Sequence, residues 1–379
     1  MPPSPIQPNS GLRILQICSA REAVYGAALS LLTLGEAQRA AGHTVEFATF
    51  AGKRFGSQVR ARGFANREFR VRLKLDLVAA IQMARHIKRE KYDVVHTHLS
   101  TSSVNGGLAA RIAKVPSVST VHGMSGKLSF TFSDHMIAVS EQVKSHMMAQ
   151  GILASDVTVV YNGLNLADFH ANGDASRMAL GLDNVGPVLG TVSRITAMKG
   201  IEDGIRAVGI LTEHFPNLCY LLVGDGDGLD AARSVTEDLG LVNHVRFVGY
   251  QSDIRPYLAA MDLFLFPSHQ EAMGIALVEA MALGLPTVAT RVGGIPEVVT
   301  PDVGILRPAY DVRALAQGCM ELLQDSSRRI EMSSKARVRA RKLFSAEAME
   351  ASTELVYRAL ITKKPIPKPS RSGIGSTVK

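Results

Sequence analysis

Short apolar runs rich in valine and isoleucine recur along the chain, with amphipathic stretches between them. Six come first, at 13–18 (RILQIC), 44–50 (TVEFATF), 92–98 (YDVVHTH), 117–121 (SVSTV), 135–140 (HMIAVS) and 157–162 (VTVVYN). Six more follow, at 187–194, 218–224, 245–249, 263–268, 286–290 and 304–307. The runs are nearly continuous rather than alternating, as expected of strands covered on both faces, so the predicted sheets are parallel. The intervening stretches read as helices. In 76–91, Leu77, Ile81, Ala84 and Ile87 fall mostly three or four apart along one stripe. Such alternation predicts an α/β protein of doubly wound sheets.

Two series of strands predict two Rossmann-like domains, 11–170 and 186–345, joined through the polar, glycine-containing stretch 166–186. A last helical pattern, 345–364, has no strand after it. The tail 363–379, of Pro, Ser, Gly and Lys without apolar periodicity, is predicted to be disordered. Open α/β sheets bind ligands at the carboxyl ends of their strands. Two facing domains would set a cleft between those ends, so the loops after strands are where chemistry is expected.

Composition narrows this picture. Of 379 residues, 46% are hydrophobic and 20% charged, enough for a large core. Cys18, Cys219 and Cys319 lie far apart and read as buried small hydrophobes in a reducing compartment. The first residues, MPPSPIQPNSG, lack the apolar centre of a secretory signal. The longest apolar run, Met273 to Thr290, is broken by Glu279 and Pro286, so no membrane span is predicted. The net charge of +8 is concentrated: residues 53–91 hold twelve Lys or Arg against three acids. Phe55, Phe64, Phe69, Val71, Leu73, Leu75 and Leu77 are interleaved with them. That pairing predicts a surface that docks on anionic membrane. Trp is absent and no basic motif is interleaved with stacking aromatics, which argues against nucleic acid as a partner.

The loops carry the chemistry. Arg194 ends a strand and Lys199 follows five residues on, a pair suited to a diphosphate. VGDGDG (223–228) has G-x-G-x-G spacing rather than the dinucleotide fingerprint, and 13–28 lacks it too, so a nicotinamide dehydrogenase is disfavoured. The run reads as a tight turn; its DGDG is the nearest approach to an Asp-x-Asp metal site, and none is predicted. In 269–299, Glu271 precedes a helix and Glu279 lies inside it. Backbone N–H groups at Gly274 and Ile275 would be free for a phosphate. Glu279, among Ala276, Leu277, Ala280 and Met281, needs a partner and could accept from both hydroxyls of a ribose.

This last stretch, FPSHQEAMGIALVEAMALGLPTVATRVGGIPEVV, resembles the signature of family 4 of the retaining GT-B glycosyltransferases, with two glutamates eight apart. TVSRITAMKG, RFVGY, IAVSEQVKSHM, VVYNGLNLADF, AAGHTVEFAT, YDVVHTH and VPSVSTVHG resemble its other recurring segments, in the family's order over roughly 11–360. The resemblance implies a GT-B fold with an interdomain cleft and a C-terminal helix, 346–362, crossing back to the N-terminal domain. It implies that Arg194 and Lys199 hold the donor diphosphate, that Glu279 binds the ribose and Glu271 the sugar hydroxyls, and that Gly274 and Ile275 meet the phosphate. Tyr250 would line the base, Gly26 would let backbone approach the substrates, and His122 would sit beside the anomeric carbon. His122 is given weight because histidine donates or accepts near neutral pH. Three positions depart from the pattern: Ala272 and Met273 within Glu-Gly-Phe-Gly, Asn165 where Asp is usual, and one glycine in the first loop where two are common.

The expectation is a metal-independent retaining glycosyltransferase with no cofactor beyond its nucleotide-diphosphate sugar. Its acceptor would be a hydroxyl on a lipid-linked or lipopolysaccharide-type glycan. It would be cytoplasmic and peripheral on the inner face of the plasma membrane. The alternatives are a nucleotide-sugar epimerase or phosphorylase on the same fold, a glycosyltransferase with a soluble acceptor, or a non-catalytic nucleotide-sugar binder.

Overall fold

The computed structural model describes residues 11–22 and 26–366. In the first unit seven strands form one parallel sheet: β1 (Arg13–Cys18), β2 (Thr44–Phe50), β3 (Ala65–Phe69), β4 (Val94–His98), β5 (Ser117–Val121), β6 (His135–Ala138) and β7 (Val157–Val159). Their spatial order is β3-β2-β1-β4-β5-β6-β7, so the winding reverses between β1 and β4. The connecting helices are α1 (Ala27–Ala40), α2 (Arg54–Ala61), α3 (Leu77–Glu90), α4 (Ser100–Ala113) and α5 (Glu141–Ala149). The pattern of apolar runs located every strand but β3. ANREF is an edge strand with its charged side chains in solvent, so it never shows the continuous apolar run of its buried neighbours.

β3 also revises the reading of 53–91. Phe55, Phe64 and Phe69 are buried, and Val71 packs against the core, so those four are not a membrane-facing stripe. Leu73, Leu75 and Leu77 are exposed, together with Val78 and Ile81, which the charge pattern had not singled out. The loop bearing them is anchored. Asn105 of α4 donates to the Lys74 carbonyl at 2.9 Å and accepts from the Asp76 N–H at 2.8 Å. Asp76 in turn caps α3 by accepting from the Ala79 N–H at 3.0 Å.

The second unit holds a six-stranded parallel sheet: β8 (Val188–Val192), β9 (Cys219–Val223), β10 (Val245–Gly249), β11 (Leu263–Phe266), β12 (Thr287–Thr290) and β13 (Gly304–Arg307). Its order is β10-β9-β8-β11-β12-β13. Its helices are α6 (Gly173–Ala179), α7 (Ile201–Thr212), α8 (Leu229–Asp238), α9 (Arg255–Ala260), α10 (Ile275–Ala282), α11 (Ile295–Val298), α12 (Val312–Gln324) and α13 (Ser326–Leu343). Much of the charge on α13 serves the fold. Arg329, Arg337 and Arg339 donate to carbonyls at the carboxyl ends of α12, α10 and α11 respectively, where the helix dipole favours a cation.

The chain passes from the first unit to the second at Gly163/Leu164 and returns at Ser345/Ala346. Residues 164–186 thus group with the second unit, where the sequence reading had set 164–170 in the first domain and the junction at 166–186. Their helix α6 packs on α9, and Arg177 bonds the Ala260 carbonyl and pairs with Asp262 at 2.5 Å. The last helix, α14 (Ala346–Thr362), belongs to the first unit, where it packs on α1 with Val356 and Tyr357 fully buried. Residues 363–366 of the predicted disordered tail are described: the Lys364 N–H bonds the Ala359 carbonyl and Ile366 packs against the core. The remainder, 367–379, lies outside the described residues. The three cysteines are free and buried. Among the described residues no helix is long and apolar enough to cross a membrane.

Candidate active site

In the second unit the predicted groups fall at the carboxyl ends of neighbouring strands, and close backbone packing fixes the loops that bear them. The GDGDG run after β9 lies against the loop after β8. A Cβ on Gly224 would stand 1.9 Å from the Ser193 carbonyl oxygen, and one on Gly226 2.0 Å from that of Ile195. The Ile195 N–H bonds the Asp225 carbonyl and the Gly228 N–H bonds that of Ile195, both at 3.0 Å. These glycines buttress the Arg194 loop rather than cradle a phosphate. The loops after β8 and β11 are likewise laced together. The His269 N–H donates to the Met198 carbonyl at 2.8 Å, and Gly200, at φ 61°, brings its backbone against the Pro267 carbonyl.

This lacing brings Lys199 and Glu271 together. Their charges, assigned by the sequence to separate tasks, form an ion pair at 2.5 Å with both side chains largely buried. The Glu271 carbonyl is also gripped, because Gly293 lies so close that a Cβ there would be 1.7 Å away. Arg194 is exposed, with no hydrogen bond or ion pair to described residues. Tyr250 is half-exposed just after β10, at the sheet edge.

Gly274, at φ 92°, opens α10 without a side-chain cap. The N–H groups of Gly274 and Ile275 find no acceptor among the described residues, so the helix start is open to an anion. Glu279 lies on the same helix. It makes no hydrogen bond or ion pair with a described residue, and burial pushes its carboxyl up to about 7. A carboxylate in this setting is stabilised by any donor brought to it.

In the first unit, Gly26 caps α1 at φ 50°. A Cβ there would meet nothing within 4 Å, so its backbone angle rather than crowding calls for glycine. The neighbouring residues 23–25 lie outside the described ones. His122 follows β5 and heads a buried polar chain that the sequence reading missed. Its Nε2 lies 3.1 Å from His98 Nδ1, and His98 Nε2 lies 2.9 Å from Gln16 Oε1. Gln16 donates to Gln38 at 2.8 Å and Gln38 to the Tyr357 hydroxyl at 3.1 Å. That hydroxyl is 2.6 Å from His96 Nδ1, and His96 Nε2 is 2.7 Å from Thr120 Oγ1. The adjacent strands β1, β4 and β5 supply four of these groups, Gln16, His96, His98 and Thr120, and His122 directly follows β5. A glutamine and two histidines inside apolar strands were the available signal.

Burial lowers His122 to about 4 and His96 to about 3, and holds His98 well below the usual histidine range. His122 is thus a neutral imidazole near pH 7. Its two ring nitrogens then donate and accept as its tautomer sets. His43, Glu350 and Glu354 form a cluster with metal-ligand spacing, but its protonation argues against that use. The Leu12 N–H donates to His43 Nδ1, which leaves the proton on Nε2, facing Glu350 at 3.2 Å. A protonated nitrogen does not ligate.

Two family models match the chain. Residues 24–168 match Glycosyltransferase Family 4 and residues 174–339 match Glycosyl transferases group 1. The chain is 29% identical over 306 residues to N-acetyl-alpha-D-glucosaminyl L-malate synthase of Bacillus anthracis, covering 74% of this chain and 78% of that one. It is 30% identical over 243 residues to the UDP-Gal:alpha-D-GlcNAc-diphosphoundecaprenol alpha-1,3-galactosyltransferase of Escherichia coli, covering 58% and 63%. Among solved structures, Anabaena Alr3699/HepE in complex with UDP superposes with a TM-score of 0.82 at 24% identity, over 92% of this chain and all of that one, and so shares the fold.

Proposed function

The chain belongs to the group 1 glycosyltransferases of the GT-B fold, and from that footing we propose that it transfers a sugar with retention of configuration and without a metal. The donor is a nucleotide-diphosphate sugar. The observation that carries this reading is α10, with an open amino end at Gly274 and Ile275 and, at Glu279, a carboxylate without a partner among the described residues, all on one short helix. A nucleotide laid along it sets phosphate at the helix start and ribose hydroxyls on Glu279. Arg194 and Lys199 take the diphosphate, Glu271 the transferred sugar, Tyr250 the base, and His122 a substrate hydroxyl. When the anomeric C–O bond breaks and the acceptor oxygen bonds to that carbon, the acceptor proton goes to the leaving phosphate oxygen. The charge gained there is what fixed cations stabilise. The test is product NMR with a screened donor in the presence of a chelator. An inverted anomer, or loss of activity restored by a divalent cation, overturns the assignment.

The acceptor is proposed to be a lipid-linked glycan, reached from an anionic membrane surface on the cytoplasmic side. Support comes from the exposed Leu73, Leu75, Leu77, Val78 and Ile81, flanked by exposed Arg70, Arg72 and Lys74, and from the diphosphoundecaprenol in the name of the E. coli relative. Apolar side chains beside cations are what an interfacial segment needs. Co-sedimentation with anionic vesicles at low salt should be strong, should weaken at high salt, and should be lost on reversing Arg67, Arg70 and Arg72 to Glu. Absence of binding at low salt would favour a soluble anionic acceptor, such as the malate named for the B. anthracis relative.

A further inference from the structure

The buried chain behind His122 has a direction, and that direction determines what His122 offers. Gln16 Nε2 donates to Gln38 Oε1, so the oxygen of the Gln16 amide is turned toward His98. An amide oxygen only accepts, so His98 Nε2 carries that ring's proton. A neutral imidazole has a single N–H. His98 Nδ1 is therefore a lone pair, and His122 Nε2, 3.1 Å away, must donate to it. The other ring nitrogen of His122, Nδ1, is left as an acceptor. It is buried and has no partner among the described residues. The far end of the chain agrees. Tyr357 oxygen accepts from Gln38 Nε2, so its O–H is free to donate to His96 Nδ1, and His96 Nε2–H would then donate to Thr120. A cavity of about 10 Å³ lined by His98, Thr120, His122 and Asn162 adjoins this chain.

We propose that Gln16 and His98 are positioning residues that lock His122 in its Nε2–H tautomer, so that Nδ1 is a fixed acceptor for a substrate hydroxyl. This rests on the reading that His122 meets substrate. The lock matters because the same chain of groups could run in reverse. Reversal would turn Nδ1 into an N–H, and a hydroxyl that must give a hydrogen bond would then be forced to receive one. Burying a polar atom unpaired is costly. That acceptor heads a chain of six buried groups and is the atom to which a binding partner would donate.

The experiment is a long-range ¹H–¹⁵N spectrum of the full chain labelled at histidine, without substrate, with His122→Leu used for assignment. The proton of His122 should lie on Nε2. In Gln16→Met, which keeps the side-chain length and removes the amide, the His122 proton should move to or share Nδ1, and kcat/KM should fall about tenfold. His98→Asn places an amide oxygen near the lost Nδ1 and should keep the tautomer and most of the turnover; His98→Leu should lose both. A wild-type proton on Nδ1, an unchanged tautomer in folded Gln16→Met, or equal losses in the two His98 variants at equal folded fraction would overturn the proposal. Should Gln16→Met not fold, the wild-type spectrum and the His98 pair still decide. Full turnover in His122→Leu would remove His122 from the reaction while leaving the spectrum to report on the chain.

Discussion

Two polar clusters stand at the carboxyl ends of parallel strands, one in each unit, and they handle burial in opposite ways. The cluster behind β5 closes on itself: His122, His98, Gln16, Gln38, Tyr357 and His96 satisfy one another and leave one ring nitrogen open. The cluster around α10 stays open, with a carboxylate and two N–H groups that no described side chain completes. Burial disfavours charge in both, raising Glu279 and lowering the histidines. A polar group that holds a shape is paired within the protein, and one that binds a ligand is left for the ligand to pair.

The sharpest way to break this contrast is at the cations. Arg194→Ala and Lys199→Ala should each lower turnover roughly tenfold to a thousandfold, the scale of one preorganised charge contact. Steady-state kinetics that show full turnover in both variants would end the diphosphate assignment. Next is the open carboxylate. Glu279→Gln should weaken nucleoside diphosphate binding by about 1.5–3 kcal/mol in calorimetry, whereas Glu271→Gln should lower turnover more than this affinity. Ribose donors favour the ionised form of Glu279, so the affinity ratio of wild type to the Gln variant, in which the ligand's own phosphate titration cancels, should rise with pH up to about 7 and then level. Equal binding losses in the two variants would sink the division of roles.

The closed cluster is tested by stability. Tyr357→Phe removes the hydroxyl that joins Gln38 to His96 and leaves Gln38 Nε2 and His96 Nδ1 without that partner, at a cost of about 1–3 kcal/mol in denaturant unfolding. The smallest effects are in pH and have opposite signs. The buried histidines resist protons that the unfolded chain binds near pH 6.5, so their contribution is present above that pH and lost as pH falls toward 4. Glu279 is raised, so its contribution is present below about 4.5 and lost as pH rises to about 7. Thermal melts of Glu279→Gln should therefore exceed wild type at pH 8 and match it at pH 4. His98→Asn should reduce the acid loss of wild type. Parallel shifts at both pH values would refute the contrast.

The sequence by itself determined what is local. Twelve strands showed as apolar runs because buried parallel strands need no partner in sequence to be recognised. The groups of the proposed donor site stand close in sequence: Glu271, Gly274, Ile275 and Glu279 lie within one loop and helix, and Arg194 and Lys199 within another. Tertiary structure alone decided the rest. β3 exists because β2 offers an edge, and Phe55, Phe64 and Phe69 belong to the core while Leu73 does not, although all four sit among the same charges. Lys199 meets Glu271 across 72 positions, and Tyr357 meets His96 across 261. The crossing at Gly163 follows from α6 packing on α9, which no composition shift marks. Periodicity reports which face of an element is buried, but a hydrogen bond between distant residues is chosen only when the strands carrying them are set side by side.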